Sequence, residues 1–96
     1  MKTINIKERA GVFAENKDIA SDIRENEVLP TLRDKDEVTF DFAAVDGATQ
    51  SFIHAMISQA IREFGPEVID HMIFRNCNES IQGIIEIVVD YMQESE

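Results

Sequence analysis

The stretch VTFDFAAVDGATQSFIHAMISQAI, residues 38 to 61, changes its hydrophobic period at its middle and thereby decides the fold class. Residues 37 to 45 are rich in β-branched and aromatic side chains, and their nearly continuous apolar character is typical of a strand covered on both faces. The second part is helical in period, because its apolar side chains fall on one half of a helix that Gly65 and Pro66 would end. We therefore predict a buried strand followed by a central packing helix from Thr49 or Gln50 to Phe64.

Strand and helix patterns alternate on both sides of this stretch. TINI at residues 3 to 6 and HMIF at residues 71 to 74 are typical of short strands. Asn16 is a candidate N-cap for a helix that ends before Pro30, and Asn78 or Ser80 begins a last helix. Because helical segments lie between successive strands, the sequence predicts an α/β fold with parallel pairing through right-handed crossovers. A chain of 96 residues forms one domain, residues 1 to 96.

Charge and composition favour a soluble cytoplasmic protein. The net charge is −10, and residues 36 to 96 hold two basic and twelve acidic side chains. Such a surface repels phosphate backbones and anionic lipid, so we expect no nucleic-acid or membrane partner. The longest apolar run, IIEIVV at residues 84 to 89, is too short to span a bilayer. The single cysteine, Cys77, excludes an internal disulfide and fits a reducing compartment.

Residues 38 to 61, followed about ten residues later by IFRN at residues 73 to 76, resemble the STAS-like family of unassigned function. This family is related to the STAS domains of anti-sigma factor antagonists. The likeness extends over residues 10 to 92 and is most specific where Asp41-Phe42 ends a strand and Thr49, Ser51 and Phe52 open a helix. It implies a small, mainly parallel sheet of about four strands with about three helices packed on it.

The same resemblance implies a non-enzymatic regulatory domain, without a cofactor, that binds a protein such as a kinase-like ATPase. The binding segment of STAS domains corresponds here to residues 45 to 57, so the residues expected to contact the partner are Asp46, Gly47, Thr49, Gln50, Ser51 and His54. In the sigma-regulating members, phosphorylation of a serine at the start of this helix switches binding off. That position is Gln50 here, which leaves Ser51 and Thr49 as the candidate phosphorylation sites.

The residue types at this helix start support two interpretations. The hydroxyl groups of Thr49 and Ser51 can cap the helix by accepting hydrogen bonds from its first amides. Alternatively, these amides bind or retain a phosphate, and Gly47 lets the backbone come close to it. Asp46 would repel a phosphate dianion and so favours the cap.

The remaining candidate residues point to no catalytic or metal site. Asp41, near the end of an apolar strand, is expected to accept hydrogen bonds from the following loop and to organise it. The alternative, a phosphoacceptor aspartate as in receiver domains, requires further carboxylates and a lysine at neighbouring strand ends. We expect His54 to be half-exposed at the edge of the helical apolar face. His71 and Cys77 do not have the sequence spacing of a pair of metal ligands.

The last helix has more apolar surface than one sheet can cover. The apolar residues between positions 81 and 92 occupy about 200° of arc, against about 100° for a helix on a sheet. Ile87 and Tyr91 lie at one margin of this arc and Val89 at the other. We therefore predict that the additional apolar surface of the last helix is covered by a neighbouring helix, by the N-terminal segment or by another molecule. A homodimer through this helix is therefore the structural alternative to the regulatory domain.

Overall fold

Strands alternate with helical segments along most of the chain, as the sequence patterns predict, but the fourth strand follows the third without a helix between them. The structure is a computed structural model that describes residues 1 to 94. In chain order the elements are β1 (Lys2–Asn5), α1 (Ile6–Ala10), β2 (Phe13–Ala14), α2 (Lys17–Ile23), a π-helical turn (Arg24–Val28), α3 (Leu29–Arg33), β3 (Val38–Asp41), β4 (Gly47–Ala48), α4 (Gln50–Phe64), a 3-10 helix (Pro66–His71), β5 (Met72–Arg75) and α5 (Glu79–Glu94).

The main sheet contains three parallel strands in the order β1-β3-β5. Strand β3 lies in the centre, and its residues Val38, Thr39 and Phe40 are fully buried. The last row of the register joins Asn5, Asp41 and Arg75, so these three residues share the carboxyl edge of the sheet. The predicted α/β class and the predicted parallel pairing are confirmed.

The predicted count of about four strands differs from what the structure shows. The main sheet has three strands, and a separate parallel pair joins β2 to β4, with two residues in each strand. The long apolar run at residues 37 to 45 forms a strand only over Val38–Asp41. Beyond it, Ala44 adopts a left-handed backbone conformation with φ 63°, which turns the chain towards β4.

The prediction that the first long helix ends before Pro30 is wrong. Helix α2 begins after its predicted cap, Asn16, but the helical path continues through Pro30 to Arg33. The turn between α2 and α3 is π-helical, and the Leu29 N–H donates to the Arg24 carbonyl, five residues back. Pro30 occupies the first turn of α3, where a residue without an amide hydrogen is tolerated. The wider turn ahead of it therefore lets the helix pass the proline.

Helix α4 is the central packing element, and its predicted bounds are confirmed. It buries Phe52, Ile53, Met56, Ile57, Ser58, Ala60 and Ile61. Its neighbours include α2, the π-helical turn and α5. In the sheet, the rings of Phe40 and Phe74 stack with their centroids 5.1 Å apart.

Helix α5 packs against α4 but leaves part of its apolar surface uncovered. Asn78 caps it, as predicted, because its Oδ1 accepts a hydrogen bond from the Ile81 N–H at 2.9 Å. Val89 is half-buried, whereas Ile87 and Tyr91 are 53% and 58% exposed. A neighbouring helix therefore covers only part of the predicted excess. Among residues 1 to 94, no helix has the length and apolarity needed to cross a membrane.

Candidate functional site

Thr49 forms the cap of α4. Its backbone is extended, with φ −86° and ψ 154°, and its Oγ1 accepts a hydrogen bond from the Phe52 N–H at 3.1 Å. The Thr49 N–H donates to the Ala14 carbonyl at 2.9 Å, which ties the cap to β2. Ser51 lies inside the first turn of the helix and is exposed, so the capping role belongs to Thr49.

The loop between β3 and α4 is held by hydrogen bonds from two other parts of the chain. The Asp46 N–H donates to the Val12 carbonyl at 2.7 Å. On its other side, the Asn78 Nδ2 donates to the Asp46 carbonyl at 2.8 Å. Val45 is buried beneath this loop, while the Asp46 side chain is exposed. The loop therefore presents a surface whose backbone is fixed.

Gly47 is covered by the ring of Phe13. A Cβ at position 47 would lie 2.9 Å from the Phe13 Cε1, closer than carbon atoms approach in proteins. An alanine here would therefore have to displace the Phe13 ring, and the glycine itself is buried. Val12 and Phe13 are 50% and 49% exposed, and they add an apolar margin to the loop. These two residues were not predicted as part of the site, although Val12 and Phe13 form a short apolar step after Gly11 in a polar segment.

Asp41 organises the loop that follows β3. Its Oδ1 accepts hydrogen bonds from the Ala43 N–H at 2.9 Å and from the Asn76 Nδ2 at 3.0 Å. These bonds, with Asn76 contributing most, lower the pKa of the Asp41 carboxyl below its usual value. The bond from Ala43 is the one expected from the place of Asp41 at a strand end. Asn76 was missed, but it follows β5 directly, and the carboxyl ends of adjacent parallel strands lie together.

An open groove of about 400 Å³ lies beside the start of α4. The residues that line it are Lys17, Gln50, Ser51, His54, Ala55 and Tyr91. It is formed by the beginning of α2, the first turns of α4 and the last turns of α5. The groove thus joins three helices around the segment that the sequence analysis selected.

His54 is half-buried at the edge of this groove, as expected. Its ring centroid lies 6.4 Å from that of Tyr91, with the two planes tilted by 59°. Burial, and to a smaller degree the charge of Arg62, lowers the pKa of the His54 imidazole below its usual value. The ring is therefore neutral at neutral pH and contributes an aromatic and hydrogen-bonding surface without charge.

The predicted partner-binding residues lie at different depths. Gln50, Ser51 and His54 come together on the groove. Thr49 is half-buried behind them in its capping position, and Gly47 is buried under Phe13. Lys17 and Tyr91 also line the groove, from opposite ends of the chain. Nothing in the local sequence predicts that Lys17 lies at this site, whereas Tyr91 was already predicted to lie at the margin of the apolar arc of α5.

The carboxyl edge of the sheet carries few reactive groups. The row Asn5, Asp41 and Arg75 supplies one amide, one carboxylate and one guanidinium. Cys77 is half-buried, and burial, with a smaller effect of the Asp41 charge, raises the pKa of its thiol. In the described part of the chain, no three His, Cys, Asp or Glu side chains are grouped to hold a metal ion.

The fold and the site define a small parallel α/β domain whose fixed loop and groove lie at the start of its central helix. A family described as a STAS-like domain of unknown function matches residues 21 to 82. This match covers more than half of the chain, and the chain belongs to this family. The resemblance drawn from residues 38 to 61 is therefore confirmed. No curated protein and no solved structure shows significant similarity to the chain.

Proposed function

We propose that this chain is a non-enzymatic regulatory domain that binds another protein through the loop and helix start at residues 46 to 57. The observation that carries the proposal is the groove of about 400 Å³ onto which Gln50, Ser51 and His54 open. Gln50 and Ser51 are exposed on the first turn of a helix whose other face is the centre of the core. A partner would therefore meet polar side chains mounted on a rigid support.

Apolar side chains at the margins strengthen this proposal. Phe13 borders the loop, and Tyr91 borders the groove, each with about half of its surface exposed. Exposed aromatic residues beside fixed polar groups are typical of protein interfaces, where they supply contact area at low entropic cost. The bonds that hold Asp46 on both sides reduce the ordering that binding would require.

The partner that we propose is a kinase-like ATPase or another regulatory protein in the cytoplasm. The support for this class is membership of the STAS-like family, because that family resembles the STAS domains of anti-sigma factor antagonists. The single, half-buried cysteine supports the cytoplasmic location. The strongly acidic charge supports a protein partner over a nucleic acid or a membrane surface.

Ser51 is the better candidate for a phosphorylation switch. The Thr49 hydroxyl is half-buried and already accepts the Phe52 amide hydrogen, so modifying it would break the cap. The Ser51 side chain is exposed and lines the groove together with Lys17. A phosphate there would add a charge of about −2 to the proposed interface without a change in the core.

Replacing Ser51 with glutamate tests the proposal. We expect Ser51→Glu to weaken binding of the native partner, isolated with the wild-type chain, at least tenfold in a calorimetric titration. Gln59→Glu is the matched control, because Gln59 is exposed on the same helix and does not line the groove. Circular dichroism should show both variants folded. Undiminished binding by Ser51→Glu would remove this surface from the interface.

The exposed margin of α5 favours a second candidate, a homodimeric structural module. Ile87 and Tyr91 are the large apolar residues that α5 leaves exposed. A dimer through this helix predicts a doubled mass in light scattering, which Tyr91→Glu returns to that of the monomer. A monomeric mass for the wild-type chain over a wide concentration range would exclude this candidate.

A further inference from the structure

Helix α5 contains a glycine for which the domain itself shows no need. Gly83 lies in the second turn of the helix, where glycine is destabilising relative to alanine. Its φ is not in the left-handed region. Apart from the neighbouring residues and the nearby backbone of α5 itself, a Cβ built at position 83 would meet no atom within 4 Å. Neither backbone conformation nor internal packing therefore accounts for the missing side chain.

Gly83, which is half-buried, begins an apolar row on α5 that is exposed further along the helix. Gly83, Ile87 and Tyr91 are spaced four residues apart and lie one above the other on the same side of the helix. Ile87 and Tyr91 have more than half of their surface exposed. We call these three residues the α5 track. It is about 12 Å long and ends at the groove, which Tyr91 lines.

A row of carboxylates borders the α5 track. Glu79, Glu86 and Asp90 are exposed and lie about 80° around the helix from the centre of the track. No lysine or arginine follows Arg75 in the sequence, so α5 has no basic residue to neutralise this row. The surface of α5 therefore combines a shallow apolar track with an acidic border that the helix itself does not neutralise, and Lys17 of α2 lies only at the groove end.

We infer that the α5 track docks a cationic amphipathic helix of the partner protein. The partner's apolar side chains would lie on Gly83, Ile87 and Tyr91, and its Lys or Arg side chains would face the acidic border. A glycine at the contact lets two helix axes come close together, which is consistent with a helix as the occupant. This inference rests on the proposed function and names the chemistry of the partner segment.

Charge complementarity distinguishes this occupant from a second copy of the chain. Two copies packed through α5 would bring their acidic borders together, and each copy has a net charge of −10. Like charges across an interface oppose association, whereas opposite charges speed and orient it. A basic segment therefore matches the charge of the surface around the α5 track better than a second copy does.

The test uses two synthetic helical peptides of about 18 residues, roughly five turns, with leucines at the same positions. The polar positions are lysine in one peptide and glutamate in the other. Tyr91 is the single tyrosine of a chain without tryptophan, so its fluorescence reports binding at the end of α5, where the α5 track meets the groove. We expect the lysine peptide to bind with a dissociation constant at least tenfold lower than that of the glutamate peptide.

Two substitutions show whether binding occurs at the α5 track. Gly83→Gln should raise thermal stability, because glutamine is a better helix former than glycine. The same substitution should raise the dissociation constant of the lysine peptide at least tenfold. Since stability and binding move in opposite directions, loss of folding cannot explain the result. The double substitution Glu86→Gln with Asp90→Asn should raise the dissociation constant of the lysine peptide at least fivefold.

The control pair Glu67→Gln with Asp70→Asn removes the same charge from the 3-10 helix, outside α5, and should change binding less than twofold. Equal binding of both peptides, equal effects of the two charge pairs, or undiminished binding by Gly83→Gln would overturn the inference. A dimer that Gly83→Gln dissociates would also overturn it, since a second copy would then be the occupant.

The native partner separates this inference from the proposed function. If Ser51→Glu abolishes binding of the native partner and Gly83→Gln leaves it unchanged, the inference fails and the proposed function stands. If Gly83→Gln abolishes that binding and Ser51→Glu leaves it unchanged, the α5 track stands and the loop is removed from the interface.

Discussion

Removing the Thr49 hydroxyl tests whether the start of α4 depends on its cap. In Thr49→Ala the Phe52 N–H loses its acceptor at 3.1 Å, while the bond from residue 49 N–H to the Ala14 carbonyl remains. Loss of such a cap costs about 1 kcal/mol. At about 2.1 cal/mol/K per residue, unfolding of a 96-residue chain has an entropy of roughly 0.2 kcal/mol/K. We therefore expect Tm to fall by about 5 °C.

Urea and thermal unfolding followed by far-ultraviolet circular dichroism measure this effect. The dependence of the unfolding free energy on urea should keep its slope, because the same surface is exposed on unfolding. Thr49→Ser retains the hydroxyl and should stay within about 0.5 kcal/mol of the wild type. The capping role is refuted if Thr49→Ala is as stable as the wild type, or if Thr49→Ser loses as much stability as Thr49→Ala.

Three further changes probe the ion pairs, the loop and the packing. Glu27 is 15% exposed, and although burial alone would raise its pKa, hydrogen bonds led by that from Arg9 lower it overall. Glu27→Gln should therefore cost about 1 to 3 kcal/mol at pH 7, and the difference from the wild type should shrink as the pH falls through the folded-state pKa of Glu27. The lowered pKa of Asp41 gives stability that is present above about pH 4 and lost below it. The stability of Asp41→Asn should therefore change less than that of the wild type between pH 5 and about pH 2, and parallel profiles would contradict this. Gly47→Ala should cost about 1 kcal/mol, the low end for overpacking, because its Cβ would have to displace the half-exposed Phe13 ring, and an unchanged cost in the Phe13→Ala background would show that the ring is not the cause.

Helix α4 could be predicted because its determinants are local. Apolar residues at helical spacing, a capping hydroxyl at Thr49 and the Gly65-Pro66 end all lie within one short stretch, and each specifies the same element. The parallel order of the strands followed from the same kind of reasoning, since helical segments between strands leave few alternatives. Membership of the STAS-like family was visible in these residues as well.

The passage of the first long helix through Pro30 could not be predicted from local rules. Proline ordinarily ends a helix because it lacks an amide hydrogen and its ring crowds the preceding turn. Here a π-helical turn over Arg24–Val28 changes the hydrogen-bond spacing just ahead of it. Such a turn depends on packing around it, and the residues between Arg24 and Val28 have no distinctive pattern.

Contacts between distant parts of the chain could not be predicted from the sequence either. The β2–β4 pair has two residues in each strand, too few for a periodic pattern. Phe13 contacts Gly47 from a segment that lies before a long helix, so from the sequence the glycine was interpreted only as letting the backbone come close to a phosphate. Lys17 and Tyr91 meet on the groove only because α2, α4 and α5 pack together. The candidate segment was therefore predictable, whereas the other walls of the groove were not.

Site-specific photo-cross-linking in the native cell is the most direct test of the central claim, that the helix start contacts another protein. A photoreactive residue at Gln50, exposed on the groove, should form one dominant adduct with a second protein. The same residue at Gln59, exposed on α4 outside the groove, should not form that adduct, and Ser51→Glu should reduce its yield at Gln50. Equal adducts at both positions, or an adduct at Gln59 alone, would contradict the account.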